Sequence, residues 1–410
     1  MSGDESTGRV EELQNRLRHY PADRYPIQHA TSQFHLGTLL ISAGRTEEAR
    51  TALLTAAELF DPASLPVEHG KSLNALGAVL RENGELHEAR AAFERAVELF
   101  QAADSRPELG AALYNLGLVD AQLDEGEDAI AALRRARSLL DPDAAPASAS
   151  AVARELGALL LLSDRLDDAT AMLREAAEIA GRAGDHASIG AASNLLGVTL
   201  LASNRDREAL QALREAVAAH PRTVRPGEHS MAKANLALSY ERLGEPARAR
   251  LAAHQALAIA ECPPAVAAQA SEILDRLGDP PGDLGIVLAL ESSDAWEAIM
   301  RGELMRWVTV EPEVRRAEIA AWIAHQSASI RGTDLGAVLV GGLLELPPQP
   351  TGVLVRAIVE EVAKLDERTA DHFRSQISSA MARFYVPQWM RLKDAFNRVA
   401  SELGAETSWG

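Results

Sequence analysis

Apolar positions along residues 9–262 recur at three- and four-residue intervals. They fall into paired stretches separated by one small or polar turn residue. This spacing is that of helices burying one face. The pattern predicts a first full unit with helices over residues 31–43 and 46–60, and a second over 71–83 and 86–100. Later units start near residues 111, 151, 191 and 231. The turn between the two helices falls at Gly44, Gly84, Asp124, Asp164, Asn204 and Gly244, residue types that accept the left-handed conformation closing a helix.

The units keep one register of 40 residues. Leu36-Gly37, Leu76-Gly77, Leu116-Gly117, Leu156-Gly157, Leu196-Gly197 and Leu236-Ala237 form one column. Two alanine columns run beside it, from Ala49 to Ala249 and from Ala56 to Ala256, and large residues such as Leu53, Phe93, Leu133, Leu173 and Leu213 form another. A period of this length marks a solenoid whose small residues let helices approach. Leu13 and Leu17 lie at helical spacing, and shifting the segment forward by one period sets Leu13 on Leu53. This predicts a half-repeat cap over residues 9–20, after a disordered stretch over residues 1–8.

Residues 264–278 read as one further capping helix, and the breakers Gly278-Asp-Pro-Pro-Gly-Asp283 read as a boundary. All five tryptophans follow it, in a segment that is helical without the register. Helices are expected over residues 293–308, 311–330, 334–344, 351–365, 367–385 and 387–403. The expected organisation is therefore a solenoid over 9–278 and a smaller helical domain over 284–410.

The spacing Gly, Ala twelve residues on, a large apolar residue four later and Ala three later resembles the tetratricopeptide repeat (TPR) family. Tyr240 also matches an aromatic that this family favours. The inter-unit stretches 61–66 and 141–146 make the unit longer than the common one, as in kinesin light chains and repeat-containing bacterial regulators. The resemblance implies an all-α fold, a right-handed TPR superhelix of six repeats with a half-repeat cap. It implies little about function, because the shared positions are packing positions.

TPR proteins line their inner face with first-helix residues lying between the packing columns. Carried over, that face would present Phe34, Asn74, Tyr114, Arg154, Asn194 and Ala234. One turn earlier come Thr31, Lys71, Ala111, Ala151, Ala191 and Met231. One turn later are Thr38, Ala78, Leu118, Ala158, Val198 and Leu238. Aromatic area, a charge and amides suit a bound peptide, so Phe34, Lys71, Asn74, Tyr114, Arg154, Asn194 and Met231 are the candidate partner-binding residues. The alternative is that these positions pack between units. A carboxylate clamp of the cochaperone kind is disfavoured, because Lys71, Asn74 and Asn115 supply fragments while Ala151 and Glu155 stand where its remaining basic residues belong.

Composition narrows the function classes. The net charge is −18, which argues against direct binding to a nucleic-acid backbone. The locally basic stretch with Arg374, Arg383, Arg391, Lys393 and Arg398 reads as a solvated helix face. Lysine occurs only at positions 71, 233, 364 and 393, a bias expected of a bacterium with a GC-rich genome. Cys262 is the one cysteine, so neither an intrachain disulfide nor a cysteine zinc site is expected. No apolar run is long enough to span a bilayer, and the first residues lack a signal-peptide pattern. A cytoplasmic location without membrane contact follows as the expectation.

No phosphate loop, nucleophile elbow or zinc-protease motif is present. His29, His69 and His229 share one repeat position, but metal binding would need them around one ion; a helix-start histidine packing on the neighbouring loop is favoured. The expectation is a non-catalytic scaffold, adaptor or assembly factor without cofactor or metal, binding a protein or peptide partner. A peptide-sensing bacterial regulator is one alternative. An enzyme with its site in 284–410, around Trp307, Glu318, His325 or His372, is another. The sequence is silent on oligomeric state.

Overall fold

A computed structural model describes residues 3–60, 65–260, 262–404 and 408–409, with side chains described from residue 8 onward. All regular structure among these residues is α-helical. The chain packs as two compact units, Met1–Ser203 and Asn204–Gly410.

In the first unit, α1 (Gly3–His19) precedes α2 (Pro26–Ser42), α3 (Thr46–Leu59), α4 (Pro66–Glu82) and α5 (Leu86–Ala102). Next come α6 (Arg106–Gln122), α7 (Gly126–Leu139), α8 (Pro146–Leu162), α9 (Leu166–Ala183) and α10 (His186–Ala202). Each helix packs on the next, and first helices also touch the first helices of neighbouring repeats. Val10 and Leu13 of α1 are buried with Leu36 and Leu40, so α1 closes the first repeat as a half-repeat should.

The glycine column makes room for a side chain. A Cβ on Gly77 would sit 2.7 Å from the Phe93 ring, and one on Gly37 or Gly157 would sit 2.6 Å from Leu53 or Leu173. Those large residues are fully buried. Gly44, Gly84, Asp124 and Asp164 all have positive φ, between 56° and 81°, as the turn column predicts.

The first helices start earlier than their apolar pattern shows. Pro26, Pro66 and Pro146 occupy the first turns of α2, α4 and α8, and Pro226 does the same in the second unit. Proline has no N–H to lose there and its φ is already helical. The inter-unit stretches read at 61–66 and 141–146 therefore end one residue earlier, before the proline that opens each helix; residues 61–64 of the first lie outside the described residues. Likewise α1 begins at Gly3, ahead of the leucine pattern and within the stretch expected to be disordered.

The second unit contains α11 (Asp206–Ala219), α12 (Pro226–Arg242), α13 (Pro246–Leu257) and α14 (Pro264–Leu277). Next are α15 (Asp283–Leu290), α16 (Ser293–Thr309), α17 (Pro312–Ala328) and α18 (Gly332–Glu345). It ends with α19 (Pro348–Val362), α20 (Glu367–Met381) and α21 (Val386–Glu402). Helix α14 packs on both α12 and α13, the place a next first helix would take. The sequence pattern missed α15, which is apolar on every side after Asp283 and follows directly on the breaker cluster. It fits because Gly285 lets the His325 ring approach: a Cβ there would be 2.4 Å from that ring.

Helices α15–α21 share one core containing Trp296, Trp307, Trp322 and Trp409. Trp409 stacks on Phe396 at 4.6 Å and meets Phe373 edge-on at 6.4 Å. Arg250 of α13 bonds Asp283 of α15 through two nearly buried contacts of 2.8 and 2.6 Å. This fork–fork pair ties α15 to the last repeat helices.

Candidate functional site

Within the first unit, the first-helix face carries a polar row across α4, α6 and α8. Asn115 Nδ2 donates to Asn74 Oδ1 at 3.0 Å, joining α6 to α4. The other half of each amide, the Asn74 NH2 and the Asn115 carbonyl oxygen, has no further hydrogen bond among the described residues. Lys71 lies 3.3 Å from Glu108, and the Ser105 hydroxyl, ahead of Lys71, holds the Glu108 carboxyl below its usual range. Arg154 donates to Glu155 at 2.7 Å. Tyr114 is half-buried beside Glu155, Arg154 and Arg81, and its burial pushes the phenol up.

The row does not extend to every expected residue. Phe34 turns partly into the core, against Ala30, Ala56 and Phe60. Asn194 is only 9% exposed. Thr38, Ala78, Leu118, Ala158 and Val198 are half-buried and give the same face an apolar edge. In the second unit, Met231 is 41% exposed on α12 while Ala234 is fully buried.

Two of the three shared histidines clamp helix starts, whereas the buried His69 Nδ1 has no hydrogen-bond partner among the described residues. His29 Nδ1 contacts the Tyr20 carbonyl at 2.8 Å, and His229 Nδ1 contacts the equivalent His220 carbonyl at 2.7 Å. Both carbonyls sit at the end of the preceding helix. Burial lowers the His229 imidazole to about 4, so it is neutral and donates from Nδ1.

The residues considered for chemistry near the C-terminus are buried or engaged by neighbours. Trp307 is buried, and His372 contacts Gln376 at 3.0 Å. His325 stacks on Trp322 at 6.4 Å. Glu318 accepts from Arg306 at 2.7 Å and from the Gly282 N–H at 3.1 Å. Arg306 also donates to Glu303 at 2.8 Å, and all three side chains are buried. Column reading cannot find this triad, because its members lie outside the repeat register.

Two tetratricopeptide repeat profiles match the sequence, one over residues 69–141 and 148–222 and the other over 34–103 and 194–266. The chain belongs to the tetratricopeptide repeat family. Its TPR array resembles several solved structures at low identity. The Pseudomonas aeruginosa PilF structure is 17% identical with a TM-score of 0.46, covering 60% of this chain and 97% of that one. YrrB, described as a TPR protein with an unusual peptide-binding site, is 22% identical with a TM-score of 0.39, over 54% and 96%. The RpL4 assembly chaperone Acl4 is 18% identical with a TM-score of 0.45, over 61% and 96%. No curated protein matches the sequence.

TPR membership supports a protein-interaction role in general terms. Among the described residues of this TPR protein, no helix is long and apolar enough to cross a membrane.

Proposed function

We propose that this TPR protein is a non-catalytic scaffold, adaptor or assembly factor of a bacterial cytoplasm, which holds an extended segment of a protein partner on the first-helix face of residues 1–203. The amide pair Asn74–Asn115 carries the reading. The pair leaves one NH2 and one carbonyl oxygen unused, and an extended peptide backbone offers the complementary pair of groups. Tyr114 adds half-buried aromatic area beside it, and Leu118 and Val198 supply apolar contact. Lys71 and Arg154 are already matched by Glu108 and Glu155, so the face has no surplus charge for an acidic peptide terminus.

The test is affinity capture of partners by the full chain, followed by quantitative binding of each captured segment to Asn74→Ala and to the Tyr114→Ala/Arg154→Ala double variant. At least a tenfold loss in both is expected. Unchanged affinity in both, with melting unaltered, would remove this face from consideration.

A further inference from the structure

Lys233 occupies a position that the other repeats fill with Gln33, Leu73, Leu113, Ala153 and Ser193. Leu113, Ala153 and Ser193 are buried, so this is a packing column, and a lysine there requires a reason. The reason is a pocket of about 760 Å³ between α11–α13 and α16–α18. That volume lies within the range of small-molecule sites, about 300–1,000 Å³. Its walls are largely apolar: Val217, Pro221, Leu304, Met305 and Leu346.

One end of the pocket is cationic. Lys233 Nζ donates to Gln255 Oε1 at 2.6 Å, and Arg222 donates to the Ala258 carbonyl at 2.8 Å. Both acceptors are uncharged, and neither cation has a carboxylate ion-pair partner among the described residues. The nearby Glu303 is engaged by Arg306 at 2.8 Å and by Gln255 at 3.2 Å. His229 faces the same end and is neutral. Of the other lining cations, Arg301 pairs with Glu345 at 2.7 Å and Arg214 with Glu291 at 3.4 Å. Two cations without an ion pair at the end of an apolar pocket, in a chain of net charge −18, constitute a built anion subsite. Desolvation is costly for both; it outweighs the attraction of Glu303, pulls the Lys233 ammonium down to about 8 and lowers Arg222.

We propose that this pocket binds a small apolar acid, with its carboxylate on Lys233 and Arg222 and its hydrocarbon body among Val217, Leu304, Met305 and Leu346. The same chemistry is offered by a free acyl carboxylate and by the free C-terminus of an apolar peptide. The site uses no residue of the first-helix face in 1–203, so it stands or falls independently of the partner-binding reading.

Titration calorimetry on the full chain tests it with decanoate, decanol, and the tripeptide acetyl-Gly-Leu-Leu as acid and as amide. Saturable binding of a carboxylate is expected, at least tenfold tighter than its uncharged counterpart. Preference for decanoate or for the peptide acid tells which source the site takes. Lys233→Met should weaken the carboxylate at least tenfold and leave decanol unchanged, and Lys233→Arg should restore most of the loss. Val217→Trp, which fills the pocket from α11, should abolish both and decides the matter if Lys233→Met does not fold. The proposal is overturned if neither carboxylate saturates, if decanol binds as well as decanoate, or if a folded Lys233→Met or Val217→Trp retains wild-type affinity.

Discussion

Arg90 Nε lies 3.1 Å from Asp120 Oδ1, and the two atoms are buried without forming an aligned hydrogen bond. Asp120 stands in a column otherwise filled by Leu40, Leu80, Leu160, Leu200 and Tyr240. Burial lifts its carboxyl from 3.8 to about 6, against the pull of Arg90. Between those two values the folded chain holds more protons than the unfolded one. The contribution of Asp120 to stability therefore falls as pH rises from about 4 to about 6. Arg90 keeps Glu94, Glu125 and Asp128 within reach without it. Asp120→Leu should accordingly stabilise the chain at pH 7.5 by about 1–3 kcal/mol, the usual range for replacing a buried ionic group by a packed apolar one. The gain should shrink towards pH 4. Urea denaturation at both pH values measures it, and a lower midpoint for the variant at pH 7.5 would show that the carboxylate is stabilising.

Two glycines of the second repeat separate steric from conformational cost. A Cβ at Gly77 meets three atoms of the Phe93 ring at 2.7–2.9 Å, and that ring is fully buried. Gly77→Ala should lose about 1–3 kcal/mol through overpacking. Gly84 has open space around it but a φ of +81°, so Gly84→Ala should lose about 1–2 kcal/mol to backbone strain alone. Asp124, Asp164 and Asn204 hold the same conformation. Gly84→Asn should therefore cost measurably less than Gly84→Ala in the same denaturation series, and equal losses would refute the strain argument.

The array was legible because its columns report packing: Gly77 faces Phe93, and the turn residues have the positive φ that their types allow. The starts of the first helices were less legible, since Pro26, Pro66 and Pro146 signal a break in the chain and a helix start alike. Helix α15 escaped because an octet that is apolar after Asp283 carries no periodicity, and the space for it depends on Gly285 meeting His325 from a distant helix. Of the candidate site, Asn74 bonds Asn115 on the next first helix and Tyr114 lies beside Arg154. Asn194 is nearly buried, because the column gives the face and not the depth of burial. Lys233 was visible as a misfit in its column, but its meaning depends on Gln255, Glu303 and Met305, two of which lie outside the register.

Arg306 links two buried carboxylates, Glu303 at 2.8 Å and Glu318 at 2.7 Å. Removing it leaves both without their main counter-charge. Arg306→Met should cost about 3–5 kcal/mol at pH 7.5, the range for breaking a buried pair from one side. Burial already raises the Glu303 carboxyl, and losing Arg306 raises it further. Such a group favours the folded state at low pH and loses that contribution as pH rises, so the deficit of the variant should narrow at pH 5. A deficit independent of pH would mean that lost packing, and not stranded charge, dominates.

His229 reports on the second unit from the opposite direction. Its imidazole is held at about 4, below the ordinary 6.5, chiefly by burial, with Lys233, Arg222 and His220 adding to the effect. The bond from Nδ1 to the His220 carbonyl opposes that shift without overcoming it. Between about 4 and 6.5 the folded state holds fewer protons than the unfolded state. The stability contributed by neutral His229 is complete above 6.5 and is lost as pH falls towards about 4. The imidazole resonances of His229, assigned by comparison with His229→Gln, should titrate with a midpoint near 4. In His229→Gln the drop in stability between pH 6.5 and pH 4 should be smaller than in the wild type. A midpoint near 6.5 in the folded chain would show that the ring is solvated and that the clamp on His220 is open.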